Sequence, residues 1–247
     1  MMNMTETVKQ LIIINVLFFV GSMLVPAAGG YLSLFYFENP NFKFWQPISH
    51  MFMHGGLMHI LFNMFALYSF GSALEHFWGG RKFLFFYISC GLGSALLHTA
   101  VNYYSFHGGL DLLVENGFKK EEIMSILAEG KYDTRWQEFL GGNFEGFLQS
   151  FMVPAVGASG AVYGLLVAFA FMFPNAGLAL IFLPVPIKAK YFVPGLLLLD
   201  LFLGVKGNSI FGGGTGIAHF AHIGGALIGF IMMFYWKKNQ FNNNRWN

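Results

Sequence analysis

Charge is scarce in this chain. Lys, Arg, Asp and Glu make up 11% of its 247 residues, where a soluble domain carries about 25%. Cysteine is scarcer still. Cys90 stands alone, which excludes an internal disulfide and any metal centre built from several thiolates. It lies among apolar and small residues and reads as packing. No basic run suits nucleic acid, and the formal net charge is only +2. The pattern HExxH is absent, which disfavours a zinc peptidase. What is present is apolar: 55% hydrophobic residues, 31 of them phenylalanine. That is the composition of an all-α protein that crosses a bilayer several times, not of a large soluble core.

Six segments are apolar enough to span: roughly 11–28, 55–74, 83–101, 157–173, 190–204 and 218–236. The first follows Lys9 and is long for a signal-peptide core. No A-x-A-like site follows it cleanly, so it is expected to stay as a spanning helix. The basic residues set an orientation. With the N-terminus in the cytoplasm, Lys9, Arg81, Lys82, Lys188, Lys190, Lys237, Lys238 and Arg245 lie inside, and only Lys43 and Lys206 fall in the short outer loops. Both termini are therefore expected inside, with 237–247 as a polar cytoplasmic tail.

The stretch 102–150 differs in kind, with eight acidic residues against four basic ones. It reads as an extracytoplasmic insert between the third and fourth spans. Ile123, Ile126 and Leu127 recur at helical spacing, predicting a short amphipathic helix ended by Gly130. The plainest reading is a decoration without chemistry, and the alternative is a surface that docks substrate.

The residues "VGASGAVYG", 156–164, hold one hydroxyl, Ser159, between Gly157 and Gly160. The fourth helix can start near Ala158 and must stop at Pro174. It is then about 24 Å long at 1.5 Å per residue, against a hydrocarbon core of about 30 Å. Its N-terminus, with free N–H groups and the positive end of its dipole, would open inside the membrane. That setting suits a nucleophile whose transition state gathers negative charge.

A serine nucleophile needs a base. The sixth segment, "IAHFAHIGGALIGF", puts His222, Gly225 and Gly229 on one helical face. Gly225 and Gly229 permit close approach of another helix, and Gly160 and Gly164 offer a matching face on the fourth segment. Together they would bring Ser159 and His222 into hydrogen-bond contact. Tyr163, one turn below Ser159, could support the imidazole. His219 is a competing base without the glycine face. In the second segment, "HMFMHGGLMHILFNMFAL", His59 and Asn63 sit at i and i+4. Both are expensive in a membrane, and both could donate to an oxyanion. Asp200, the sole acid of the fifth segment, is expected near its outer end and solvated, leaving a Ser–His dyad without an acid.

"GASGAVYG", "HILFN" and "AHIGGALIG", on the fourth, second and sixth spans, resemble the rhomboid family of intramembrane serine proteases. The resemblance covers all six spans in order. It implies a six-helix rhomboid bundle with a short central fourth helix. It implies Ser159 as nucleophile and His222 as general base. His59, Asn63 and the Ser159 backbone would form the oxyanion hole, with Tyr163 stacked on His222. Gly157, Gly160, Gly225 and Gly229 are support. Glu75 in "GSALEHFWG" matches the family's structural acid. Trp45-Gln46 stands where many rhomboids have Trp-Arg.

The expected activity is endoproteolysis of transmembrane substrates near the outer part of the bilayer, with no cofactor, metal or nucleic acid. The expected home is a bacterial plasma membrane, with the active site opening outward. The glycine-rich loop 204–216 reads as a lid, and the fifth span, interrupted by Pro194-Gly195, as a side gate. Two rivals stand beside this. One is a rhomboid-like protein without activity that binds clients. The other is a metal transporter using His50, His54, His59, His98, His219 and His222. Oligomeric state is not legible.

Overall fold

The computed structural model describes residues 3–180, 183–206 and 217–240. It is a helical bundle. α1 (Glu6–Leu24) is followed by the short α2 (Ala27–Leu32) and α3 (Gln46–Ser49), which runs into a 3-10 turn at His50–Phe52. α4 (Leu57–Ala66) continues through a π-turn at Leu67–Gly71 into α5 (Ser72–Trp78), so one rod of 57–78 forms the second span. α6 covers Gly80–Glu115, and α7 (Lys120–Ala128), α8 (Trp136–Leu140) and α9 (Phe144–Met152) follow. α10 (Ser159–Met172) then leads to an antiparallel hairpin of β1 (Gly177–Leu180) and β2 (Leu183–Lys188), followed by α11 (Ala189–Lys206) and α12 (Ile217–Gln240).

Four of these stretches are long and apolar enough to cross a membrane: Glu6–Leu24, Leu57–Trp78, Gly80–Glu115 and Ala218–Lys237. α10 is apolar but only 14 residues long, about 21 Å, in line with the short central helix that Pro174 imposes. α11 is long enough but carries Lys190, Asp200 and Lys206.

The segment 83–101 lies inside a helix of 36 residues. The reason is local. No proline falls between Pro47 and Pro154, so nothing stops α6 before the turn at Gly117, whose φ is +93°. The C-terminal half of α6 becomes the backbone of the insert. α7–α9 fold onto it around Phe106, Trp136, Phe147 and Phe151, all 1% exposed or less. The amphipathic helix expected at Ile123 and Leu127 is α7, which buries both and is followed by Gly130 at φ +71°.

Glu75 fixes the start of α1. Its carboxylate accepts hydrogen bonds from the Thr5 hydroxyl and from the N–H groups of Thr7 (3.0 Å) and Val8 (2.9 Å). A helix N-terminus leaves N–H groups unpaired and favours negative charge. Here a residue of α5 caps it from nearly 70 positions away.

Gln46 does equivalent work in the first loop. It is fully buried. Its carbonyl accepts from Phe35 N–H (3.2 Å), and its amide donates to Asn41 O (2.9 Å) and Tyr31 O (3.4 Å). The Trp45 indole also donates to Tyr31 O, at 2.8 Å. A neutral amide thus ties the loop at several points. The loop in turn holds the chain entering α10. Leu34 and Ala155 exchange backbone hydrogen bonds of 2.9 and 2.8 Å, and Gly157 N–H donates to His50 O at 2.9 Å.

Candidate active site

Three helices meet at glycines. A Cβ on Gly225 of α12 would collide with the Gly160 carbonyl of α10, and one on Gly229 would lie 2.9 Å from Gly164 Cα. These backbones touch because neither side carries a side chain. α6 joins them, since a Cβ on Gly224 would sit 2.5 Å from Gly93 O. Cys90 and Ser94 of α6 fill against Gly164 and Gly160, the packing use expected of the lone thiol.

This contact sets the distance between two side chains. His222 Nε2 lies 3.0 Å from Ser159 Oγ. The Tyr163 and His222 rings stack, with centroids 4.2 Å apart and planes within 10°. Ser159 opens α10 after Ala158, so the first-turn N–H groups project beside its hydroxyl. Gly157 has φ +125°, a conformation that side chains rarely adopt. A Cβ there would fall 2.8 Å from His59 Nε2 and 3.6 Å from Ser159 Oγ. Its absence leaves a space with the His59 imidazole on one side and the serine on the other. Behind the serine is a cavity of about 20 Å³, lined in part by His50, Ser94, His98 and Ser159. That is room for one water molecule.

His59 also accepts a hydrogen bond from Gly55 N–H at its Nδ1, 3.4 Å, and stands edge-on to His54. Asn63 is buried, and its amide donates to the His59 carbonyl of its own helix at 3.0 Å. The geometry therefore gathers Ser159, His222, Tyr163, His59 and the four glycines, with Asn63 turned onto its own helix.

Asp200 requires a correction. It is 2% exposed, not solvated, and an acid does stand beside His222. α11 continues to Lys206, so Asp200 lies more than a turn inside the helix end and faces α12. Its Oδ1 is bonded to His219 Nδ1 and lies 3.4 Å from His222 Nδ1. His219 is correspondingly buried, 7% exposed. The signal for this was in the sequence. A single carboxylate in an apolar helix is costly unless partnered, and two imidazoles were available. Asp200, His219 and His222 also form a group whose ligand atoms all lie within 4.8 Å of one another. One ring of that group is bonded to Ser159. Of the other transporter ligands, His50 is bonded to the Gln46 carbonyl, His98 to Asn102, and His54 stands edge-on to His59 across the site from that group. The proposed lid, 204–216, lies largely outside the described residues.

Comparison with known proteins agrees with the motifs. The chain is 27% identical over 243 residues, 95% of its length, to a human protein named presenilin-associated rhomboid-like protein, mitochondrial. It spans about half of that relative, 51%. An uncharacterized mitochondrial rhomboid protein of Schizosaccharomyces pombe is 30% identical over 163 residues, covering 62% of this chain and 41% of the relative. Rhomboid protease GluP of Bacillus subtilis is 29% identical over 66 residues, covering 27% of this chain and 13% of the relative. The Rhomboid domain model matches residues 41–114 and 123–239, which take in the whole glycine contact and both ends of the Ser159–His222 bond, and the chain belongs to the rhomboid family.

Proposed function

We propose that this protein is an intramembrane serine endopeptidase that works through Ser159 and His222. The observation that carries this reading is the 3.0 Å contact between Ser159 Oγ and His222 Nε2, held by backbone contact between two glycine faces. In the proposed reaction Ser159 Oγ attacks the carbonyl carbon of a peptide bond, and its proton passes to His222 Nε2. The tetrahedral oxyanion is met by the His59 imidazole, the Ser159 N–H and, after its amide turns inward, Asn63. Collapse breaks the C–N bond, and the His222 proton goes to the leaving amine. Water, activated by the same imidazole, then attacks the acyl-serine. A proton returns to Ser159, and the new carboxyl end leaves.

Tyr163 holds the imidazole plane through these steps. Gly157 keeps open the space that a reacting oxygen would enter. The substrate is a transmembrane protein whose helix unwinds locally, since an extended backbone must reach Ser159. With eight basic residues in the inner connections, both termini lie on one side of the membrane, the cytoplasmic side in a bacterium, and the site faces the other. Several relatives carry mitochondrial names, so a bacterial plasma membrane is one of two homes this reading accommodates.

The test is cleavage of a single-span reporter in liposomes. Wild-type protein should cut it, and Ser159→Ala should not, while retaining the wild-type unfolding temperature. Cleavage by a folded Ser159→Ala protein would sink the reading. A wild type that neither cuts nor labels with a fluorophosphonate would favour a client-binding relative without activity.

A further inference from the structure

The imidazole that takes the serine proton must carry its other hydrogen on Nδ1, because Nε2 has to present a lone pair. A buried N–H needs an acceptor, and the ring needs opposite charge nearby once it becomes imidazolium. On the His222 ring, the atom that meets this need is 3.4 Å from Asp200 Oδ1. The carboxylate is 2% exposed, and the group against it on the same helix α12 is His219, whose Nδ1 bonds the same oxygen. The Tyr163 phenol of α10 also faces Asp200. From α4, His59 interacts electrostatically with His222.

We propose that Asp200 is a positioning residue for the proteolytic step: it holds His222 in the Nδ1–H form and balances the imidazolium, while His219 anchors the carboxylate. The inference rests on Ser159 and His222 acting as nucleophile and base. In the resting protein Asp200 is hydrogen-bonded to His219, whereas its 3.4 Å separation from His222 is beyond the usual hydrogen-bond range. Catalytic hydrogen bonds of an empty site are often long and tighten when charge develops. Asp200 is thus shared between an anchor and a working ring. A carboxylate serving only as glue between α11 and α12 would show the same burial and the same bond to His219. It would have no influence on how the Ser159 reaction depends on pH.

The experiment measures the rate of Ser159 labelling by a fluorophosphonate, from pH 4.5 to 9, in wild type, Asp200→Asn and His219→Leu, with circular dichroism and unfolding temperature recorded for each. In Asp200→Asn the maximal rate should fall roughly 10²-fold, within the range for general-base assistance. The acid limb of its profile should move to lower pH, because the imidazolium has lost its counter-charge. In His219→Leu the carboxylate loses its competing imidazole and keeps only Tyr163 beside His222, and the acid limb should move the opposite way. Should Asp200→Asn fail to fold, the His219→Leu profile still decides. Acid limbs that coincide with wild type in the folded variants would overturn the proposal and leave Asp200 as helix glue. That failure is distinct from failure of the protease reading, which would appear as wild-type protein that does not label at Ser159 at all.

Discussion

The centre of the bundle and its insert solve the same problem with opposite materials. At the centre, α6, α10 and α12 approach until backbones touch, through Gly93 and Gly224, Gly160 and Gly225, and Gly164 and Gly229. In the insert, α7–α9 close over the C-terminal half of α6 with large rings. Phe106 and Phe147 stack with centroids 5.3 Å apart, Phe151 lies 4.9 Å from Phe106, and Trp136 is buried edge-on to Phe147. Where lipid surrounds the helices, burying an apolar side chain against another gains little over burying it in lipid. Close packing of small residues then decides. In the insert, burial of large apolar rings is the stabilising quantity. The hydroxyl–imidazole pair belongs to the first kind of core, whose spacing is fixed by peptide backbone rather than by flexible side chains.

The largest break in this contrast should come from Gly225→Val. Even a Cβ there meets the Gly160 carbonyl, so α10 and α12 must separate. Unfolding temperature and Ser159 labelling should both collapse. A stable, labelling Gly225→Val protein would show that the glycine contact does not set the site.

Trp136→Ala should cost roughly 3–5 kcal/mol, the usual range for deleting a large buried ring. The loss should appear as faster hydrogen exchange in α7–α9, with Ser159 labelling close to wild type. Equal loss of labelling would mean that the insert and the centre form one cooperative unit.

Acid should act next, and on the side nearer the site. Burial pushes the His50 imidazole down to about 4, so the folded chain holds it neutral where the unfolded chain, with an ordinary value near 6.5, takes up a proton. Stability from this group is complete above about pH 6.5 and is lost as pH falls from there toward 4. Between pH 7 and 5 the loss should approach about 2 kcal/mol, at about 1.4 kcal/mol per unit. His50→Gln should flatten that dependence in a thermal-unfolding series. An equally steep series in the variant would move the effect to another group. The exposed insert pairs, Glu129 with Lys131 and Asp133 with Arg135, should contribute nothing measurable.

Glu75→Gln should have the smallest effect of the four. It removes the charge that caps α1 but keeps an acceptor, so about 1 kcal/mol is expected from cap and dipole terms. Unfolding temperature is the readout. A loss several times larger would mean that the carboxylate does more than cap the helix.

Much of the centre was legible because its constraints are local. Pro174 bounds α10, the spacing of Gly225 and Gly229 marks a close face, and His222 falls on that face. The matching face at Gly160 and Gly164 could be read the same way. Less legible was what depends on a partner far along the chain. The participation of α6 through Gly93 was not foreseen, because nothing in its sequence says which neighbour it meets. The 36-residue length of α6 escaped notice because hydropathy falls where the helix leaves the apolar region, while helical hydrogen bonding does not. Asp200 was misplaced for a related reason. Its position near the end of an apolar run suggested water, but its rotational position on α11 points it at His219. Gln46 stands where many rhomboids carry arginine, and its burial and bonds could not be read from that difference. An uncharged amide with both a donor and an acceptor can still tie a loop of backbone groups.

The central claim is that a glycine contact poises Ser159 beside His222 for nucleophilic attack. The most direct measurement is fluorophosphonate labelling of the lipid-embedded protein, mapped by peptide mass spectrometry and timed in wild type and His222→Ala. Labelling confined to Ser159, and slowed at least about 10²-fold in a folded His222→Ala protein, is the result expected. Labelling at another serine, or at an unchanged rate without His222, would contradict it.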